Sequence, residues 1–182
     1  MSYLPPGIQI VLLVLVLAAA IHDLRSRRVP NWLTAGGVVA GVGLYSFLFG
    51  MQGFLFAVKG AGLALLVYFP LFALRAMGAG DAKLMAAVGA LAGPWNWLGI
   101  FFLTAVLGGI LAIVLTLSRG ALRRTLANII FLLKQLALFR TPYIGRPELD
   151  TSHKSALTLP HAFSIALGSM GFLAAAWFYA PR

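Results

Sequence analysis

Apolar blocks of about twenty residues, separated by short polar or basic junctions, run through this chain, and that is the length a helix needs to cross a hydrocarbon core of about 30 Å. Inside such a slab each backbone N–H and C=O must be satisfied within its own helix or within a closed barrel. The blocks lack the two-residue alternation of barrel strands, so they read as helices. Composition agrees: 61% of the residues are hydrophobic and 10% charged, with a mean hydropathy of +0.94, far from a soluble domain. The expected fold class is all-α: one membrane-embedded helix bundle over residues 1–182 with about six spans and both termini outside.

The spans are expected over residues 7–21, 32–49, 54–73, 82–92, 98–117 and 159–179. Ala18-Ala19-Ala20 resembles a cleavage site, but no basic residue precedes the first block and Arg25, Arg27 and Arg28 follow it. That order is the reverse of a secretory signal, so the block reads as an uncleaved span. Pro30-Asn31 marks the start of the next, proline suiting a first turn and asparagine capping it. Residues 50–53 form an uncharged turn, and 82–92 is so rich in Ala and Gly that it is expected to pack tightly inside the bundle. Pro94 to Trp97 read as a turn with tryptophans at headgroup depth, and Gly36, Gly37, Gly41, Gly43, Gly108 and Gly109 as packing glycines. Between Arg119 and Thr158 the chain is basic; Leu126, Ile129, Ile130, Leu133 and Leu136 could form the apolar stripe of an interfacial helix.

A net charge of +10 invites a nucleic-acid reading, but the basic residues cluster in alternate loops: Arg25 to Arg28, then Arg75 and Lys83, then Arg119 to Lys154. That is a positive-inside pattern, with anionic lipid headgroups as the partners and those loops in the cytoplasm. No nucleic-acid motif accompanies it. Cysteine is absent, which removes disulfides, thiol nucleophiles and cysteine zinc sites. His22, His153 and His161 share no ligand spacing, so no metal and no cofactor is expected.

Only four acidic residues occur. Two of them, Asp23 and Asp81, lie at the edges of apolar blocks, where an unpaired carboxylate is costly and is read as functional. Both fall on the cytoplasmic side of the threading. Carboxylates that approach closely share a proton; the ionised one can activate water while the other polarises a carbonyl. Gly78 and Gly80 would let a peptide backbone approach Asp81, which itself falls at a helix N-terminus beside Lys83.

The string Gly78-Ala79-Gly80-Asp81 resembles the GxGD signature of the type IV prepilin peptidase family, and His22 to Asn31 resembles that family's first aspartate block. The segment from Leu159-Pro160 to Gly168 resembles the opening of its last helix, with His161 where an aromatic is common. The resemblance implies that Asp23 and Asp81 are the catalytic dyad, with Gly78, Gly80, Lys83, Arg25, Pro30, Asn31 and Pro160 supporting the site or the substrate. It implies an inner-membrane aspartic endopeptidase that removes prepilin or pseudopilin leaders at the cytoplasmic face, cutting after a glycine that stands before a downstream glutamate. Larger members carry a cysteine-paired cytoplasmic domain and methylate the new N-terminus. This chain resembles the short branch serving tight-adherence (Flp) pili, so methyltransferase activity is not implied.

Three other readings remain at the level of sequence. Asp23 could simply pair with Arg25 or Arg27 and Asp81 cap a helix. The two acids could relay protons in a small transporter, although they sit at one edge and no inverted repeat is evident. The chain could also be a noncatalytic component of a secretion system.

Overall fold

The computed structural model describes residues 4–73, 77–118, 120, 130–131 and 161–178. Four long helices occur among them: α1 (Pro6–Ser26), α2 (Asn31–Ala73), α3 (Ala79–Ser118) and α4 (His161–Phe178). Each is long and apolar enough to cross a membrane. No strand occurs among the described residues.

A straight helix of the length of α2, 43 residues, would measure about 65 Å, twice a bilayer core. It is not straight. Gly50, at φ 60° and ψ −141°, breaks the helical path, and the chain folds back so that the Tyr45 and Phe56 rings lie 5.1 Å apart. Gly93, at φ 74° and ψ 171°, breaks α3 in the same way immediately before Pro94. Both conformations are ones that only glycine adopts cheaply. The turn expected over 50–53 is therefore a single-residue reversal, because Met51 to Gly53 are already helical.

The first half of α3 forms the centre of the bundle. Every residue from Leu84 to Gly93 is buried, as the small-residue composition of that block led one to expect. Hydrogen in place of a side chain allows backbones to touch there: a Cβ on Gly41 would meet the Ala90 backbone at 2.8 Å, and one on Gly60 would overlap the Gly89 carbonyl. Gly37 packs instead against the side chains of Leu15 and Ala87, whereas a Cβ on Gly36, Gly43 or Gly109 would meet nothing within 4 Å, so these are not packing glycines. Gly108 meets only Ser164, at 3.4 Å.

Trp97 departs from expectation. It is fully buried, stacked on Phe101 at 5.4 Å and edge-on to Tyr68 at 6.3 Å, while Trp95 is exposed. Helical periodicity resumes at Pro94, so two tryptophans two positions apart face opposite sides. The second half of α3 packs on α4, where Thr104 touches Gly168 and Phe172 lies against Gly99.

The expected interfacial stripe lies outside the described residues except for Ile130, which is helical and exposed.

Candidate active site

Asp23 lies on the last turn but one of α1, which continues past the expected end of the first span to Ser26. Its neighbours His22, Leu24 and Arg25 are exposed, but Asp23 is buried at 8% exposure. Oδ2 accepts a hydrogen bond of 3.1 Å from the backbone N–H of Ala162. That N–H belongs to the first turn of α4, where four donors have no partner within the helix. The last helix thus meets the first carboxylate directly.

Arg27 ends α1 in the left-handed conformation, φ 50°, its N–H donating to the Asp23 carbonyl at 2.8 Å. A non-glycine residue there costs about 1 kcal/mol, and a local network offsets that cost. His22 Nδ1 lies 3.1 Å from the Arg28 carbonyl and 2.7 Å from Ser26 Oγ, while Ser26 Oγ donates to the His22 carbonyl at 2.8 Å. With its proton on Nδ1 the imidazole donates to both acceptors. His22 therefore shapes the turn that delivers Val29, Pro30 and Asn31. The four-residue spacing of His22 and Ser26 at a helix end is the signal that sequence reading passed over.

Asp81 lies in the first turn of α3 and is half-buried; its N–H bonds to the Gly78 carbonyl at 3.2 Å. Gly78 and Gly80 are not among the positive-φ glycines, and a Cβ at either would make only ordinary van der Waals contacts. A Cβ on Gly78 would stand 3.4 Å from Asp81 Oδ2, and one on Gly80 would stand 3.4 Å from the Val29 Cβ. The Gly-Ala-Gly-Asp loop thus packs on the turn after α1.

Asn31 and Lys83 tie the same two segments together, Lys83 Nζ donating to Asn31 Oδ1 at 2.9 Å. This revises the capping role expected for Asn31. The Pro30 carbonyl accepts the first helical bonds of α2, from Leu33 and Thr34, so Asn31 is already inside the helix and its side chain is free to bridge.

The charge of His161 bears on both Asp23 and Asp81, that of Asp23 on Asp81, those of Arg27 and His22 on Asp23, and that of Asp81 on Tyr68. Arg25 is exposed on the last turn of α1; the arginine whose charge bears on Asp23 is Arg27. Pro160 and Arg75 lie outside the described residues. No group of three His, Cys, Asp or Glu side chains is placed to hold a metal among the described residues.

The fold and this pair of carboxylates define a class: a helical integral membrane protein whose two apolar-edge acids sit on segments that meet at one end of the bundle. A family model described as the type IV leader peptidase family matches residues 10–113, a stretch containing both aspartates. The chain belongs to the type IV leader peptidase family. Among curated proteins it is similar to the "Prepilin leader peptidase/N-methyltransferase" of Myxococcus xanthus (strain DK1622), with 30% identity over 118 residues that cover 61% of this chain and 35% of that protein. The match thus spans about a third of the relative's length. No solved structure matches the chain.

Proposed function

We propose that this protein is an aspartic endopeptidase of the inner membrane, cutting the leader from prepilins or pseudopilins at the cytoplasmic face through Asp23 and Asp81, without methyltransferase activity. The observation that carries the reading is that Asp23 and Asp81 both lie in the family-matched stretch, on segments that pack together through Val29 with Gly80 and Asn31 with Lys83. The Ala162 N–H holds Asp23 Oδ2 and leaves the other oxygen for water.

In the proposed reaction the pair holds one proton. The ionised carboxylate takes a proton from water as the water oxygen attacks the scissile carbonyl carbon, and the protonated carboxyl gives its proton to the carbonyl oxygen. Collapse of the tetrahedral intermediate breaks the C–N bond, the leaving amine takes a proton from the first carboxyl, and the hydroxyl proton returns to the second. No metal or nucleophilic side chain is required. The six helical segments delimited by Gly50 and Gly93 are proposed to cross separately, both termini outside. The substrate is proposed to enter as a membrane helix with its basic leader in the cytoplasm, in the manner of the Flp-type branch.

The test is cleavage of candidate prepilins by purified protein in lipid. Asp23→Asn and Asp81→Asn are each expected to lower cleavage by about a thousandfold or more while inserting normally, since an amide can neither share the proton nor activate water. Glu148→Gln and Asp150→Asn are expected to cut normally. Cleavage at the wild-type rate by either of the first two variants overturns the dyad.

A further inference from the structure

Four residues, Arg27 to Pro30, reverse the chain between α1 and α2. The far end of this turn also seats the Asp81 segment: the Val29 Cβ stands 3.4 Å from where a Cβ on Gly80 would lie, and Asn31 Oδ1 holds Lys83 Nζ at 2.9 Å. Gly80 and Lys83 flank Asp81 in sequence. The spacing of the two aspartates therefore depends on how the turn leaves α1.

Its first residue, Arg27, has a φ of 50°, a conformation that a side chain disfavours. Something must hold it. The Arg28 carbonyl lies 3.1 Å from His22 Nδ1 and 3.3 Å from Ser26 Oγ, but a hydroxyl has one proton, and the shorter contact of Ser26 Oγ, 2.8 Å to the His22 carbonyl, takes it. The Arg28 carbonyl thus depends on the imidazole N–H. His22 is also the residue before Asp23, so one side chain links the acid-bearing end of α1 to the residues that seat Asp81.

We propose that His22 is a positioning residue: its Nδ1–H holds the Arg28 carbonyl, keeps the left-handed turn at Arg27, and so presents Val29 and Asn31 to the segment that carries Asp81. The inference rests on the dyad reading above. His22 and Ser26 are exposed, so these bonds compete with water and add little to global stability. They act on one local equilibrium, the turn seated against α3 or released from it, and a local opening of that kind responds to a single donor.

The experiment is steady-state cleavage of candidate prepilins by the full-length protein in lipid, with rates taken per folded protein so that misfolding lowers yield and not kcat. His22→Ala and His22→Gln, which remove the donor or move it one bond outward, are each expected to lower kcat about three- to tenfold with KM nearly unchanged. His22→Asn places an amide N–H close to the position of Nδ1 with no ring and no charge, and should stay within about twofold of wild type. Glycine adopts the left-handed turn without the cost. In an Arg27→Gly background the His22→Ala loss should therefore shrink to roughly half its size or less.

Wild-type kcat in both His22→Ala and His22→Gln overturns the proposal, as does a loss that appears in KM alone. A His22→Asn variant as slow as His22→Ala overturns it too, since the loss would then follow the ring or its charge, and so does an equal His22→Ala loss in both Arg27 backgrounds. Should Asp23→Asn or Asp81→Asn remain active, the dyad reading fails instead; should they be inactive while the His22 variants cut at the wild-type rate, only this inference falls.

Discussion

Lys83 and Asn31 stand 52 positions apart in sequence and 2.9 Å apart in the fold. Both are exposed, so the bond competes with water and contributes about 1 kcal/mol or less to stability. Its value lies in register: it joins the first turn of α2 to the first turn of α3, and so holds the two aspartate-bearing segments at one spacing. Lys83→Met and Asn31→Ala are each expected to slow cleavage about two- to fivefold, with the double variant no slower than the worse single one. Cleavage rates of the four proteins measure this, and additive losses would mean that the two side chains act separately. Neither pairing nor partner was readable from the string alone. A lysine after an aspartate looks like a lipid anchor and an asparagine after a proline looks like a cap; only the packing of Gly80 on Val29 brings them within bonding distance.

At the scale of elements, helix contact here depends on missing side chains. Lipid tails are as apolar as leucine, so membrane helices gain little from apolar area and much from backbone proximity. Gly60 and Gly89 face each other with no space for a Cβ on either, and Gly93 combines a positive φ with the Phe56 ring at the place a side chain would take. Gly89→Ala should cost about 1–3 kcal/mol through overpacking, and Gly93→Ala should cost more because backbone strain adds to it. Gly36→Ala and Gly62→Ala, with nothing within 4 Å, should be neutral or slightly stabilising. Thermal unfolding in detergent separates the two groups, and equal losses in all four would refute the account. That the apolar blocks form helices long enough to cross a membrane was legible because hydropathy depends on composition. Which glycines pack was not, because Gly36 and Gly37 have identical local sequence signals and differ only in the direction their helix faces, which the neighbouring helices set. The same limit hid the burial of Trp97: sequence sees two tryptophans beside a proline, whereas the fold places one in the core.

At the scale of the molecule, the two reversals lie at different depths. Gly93 sits beside Gly60, and Gly60 lies ten helical steps past Gly50, so the α2 hairpin reaches about 15 Å beyond the α3 hairpin. At the opposite end the turn after α1 and the start of α2 meet the start of α3 through Val29 with Gly80 and Asn31 with Lys83. Arg25, Arg27 and Arg28 crowd that end; each is worth about 1 kcal/mol near an anionic leaflet, which favours keeping it in the cytoplasm. The chain has no cysteine, so single-cysteine variants report topology without background. Arg28→Cys and Ala79→Cys, both at exposed positions, should react with an impermeant maleimide only after the cells are opened. Gln52→Cys, exposed beside the Gly50 reversal, should react in intact cells, as should a cysteine appended after Arg182. Labelling of Arg28→Cys and Ala79→Cys from opposite sides would separate the two aspartate segments across the bilayer and end the case for a shared site. Labelling of both from outside would keep the site but invert the molecule, leaving a basic leader in the cytoplasm out of its reach.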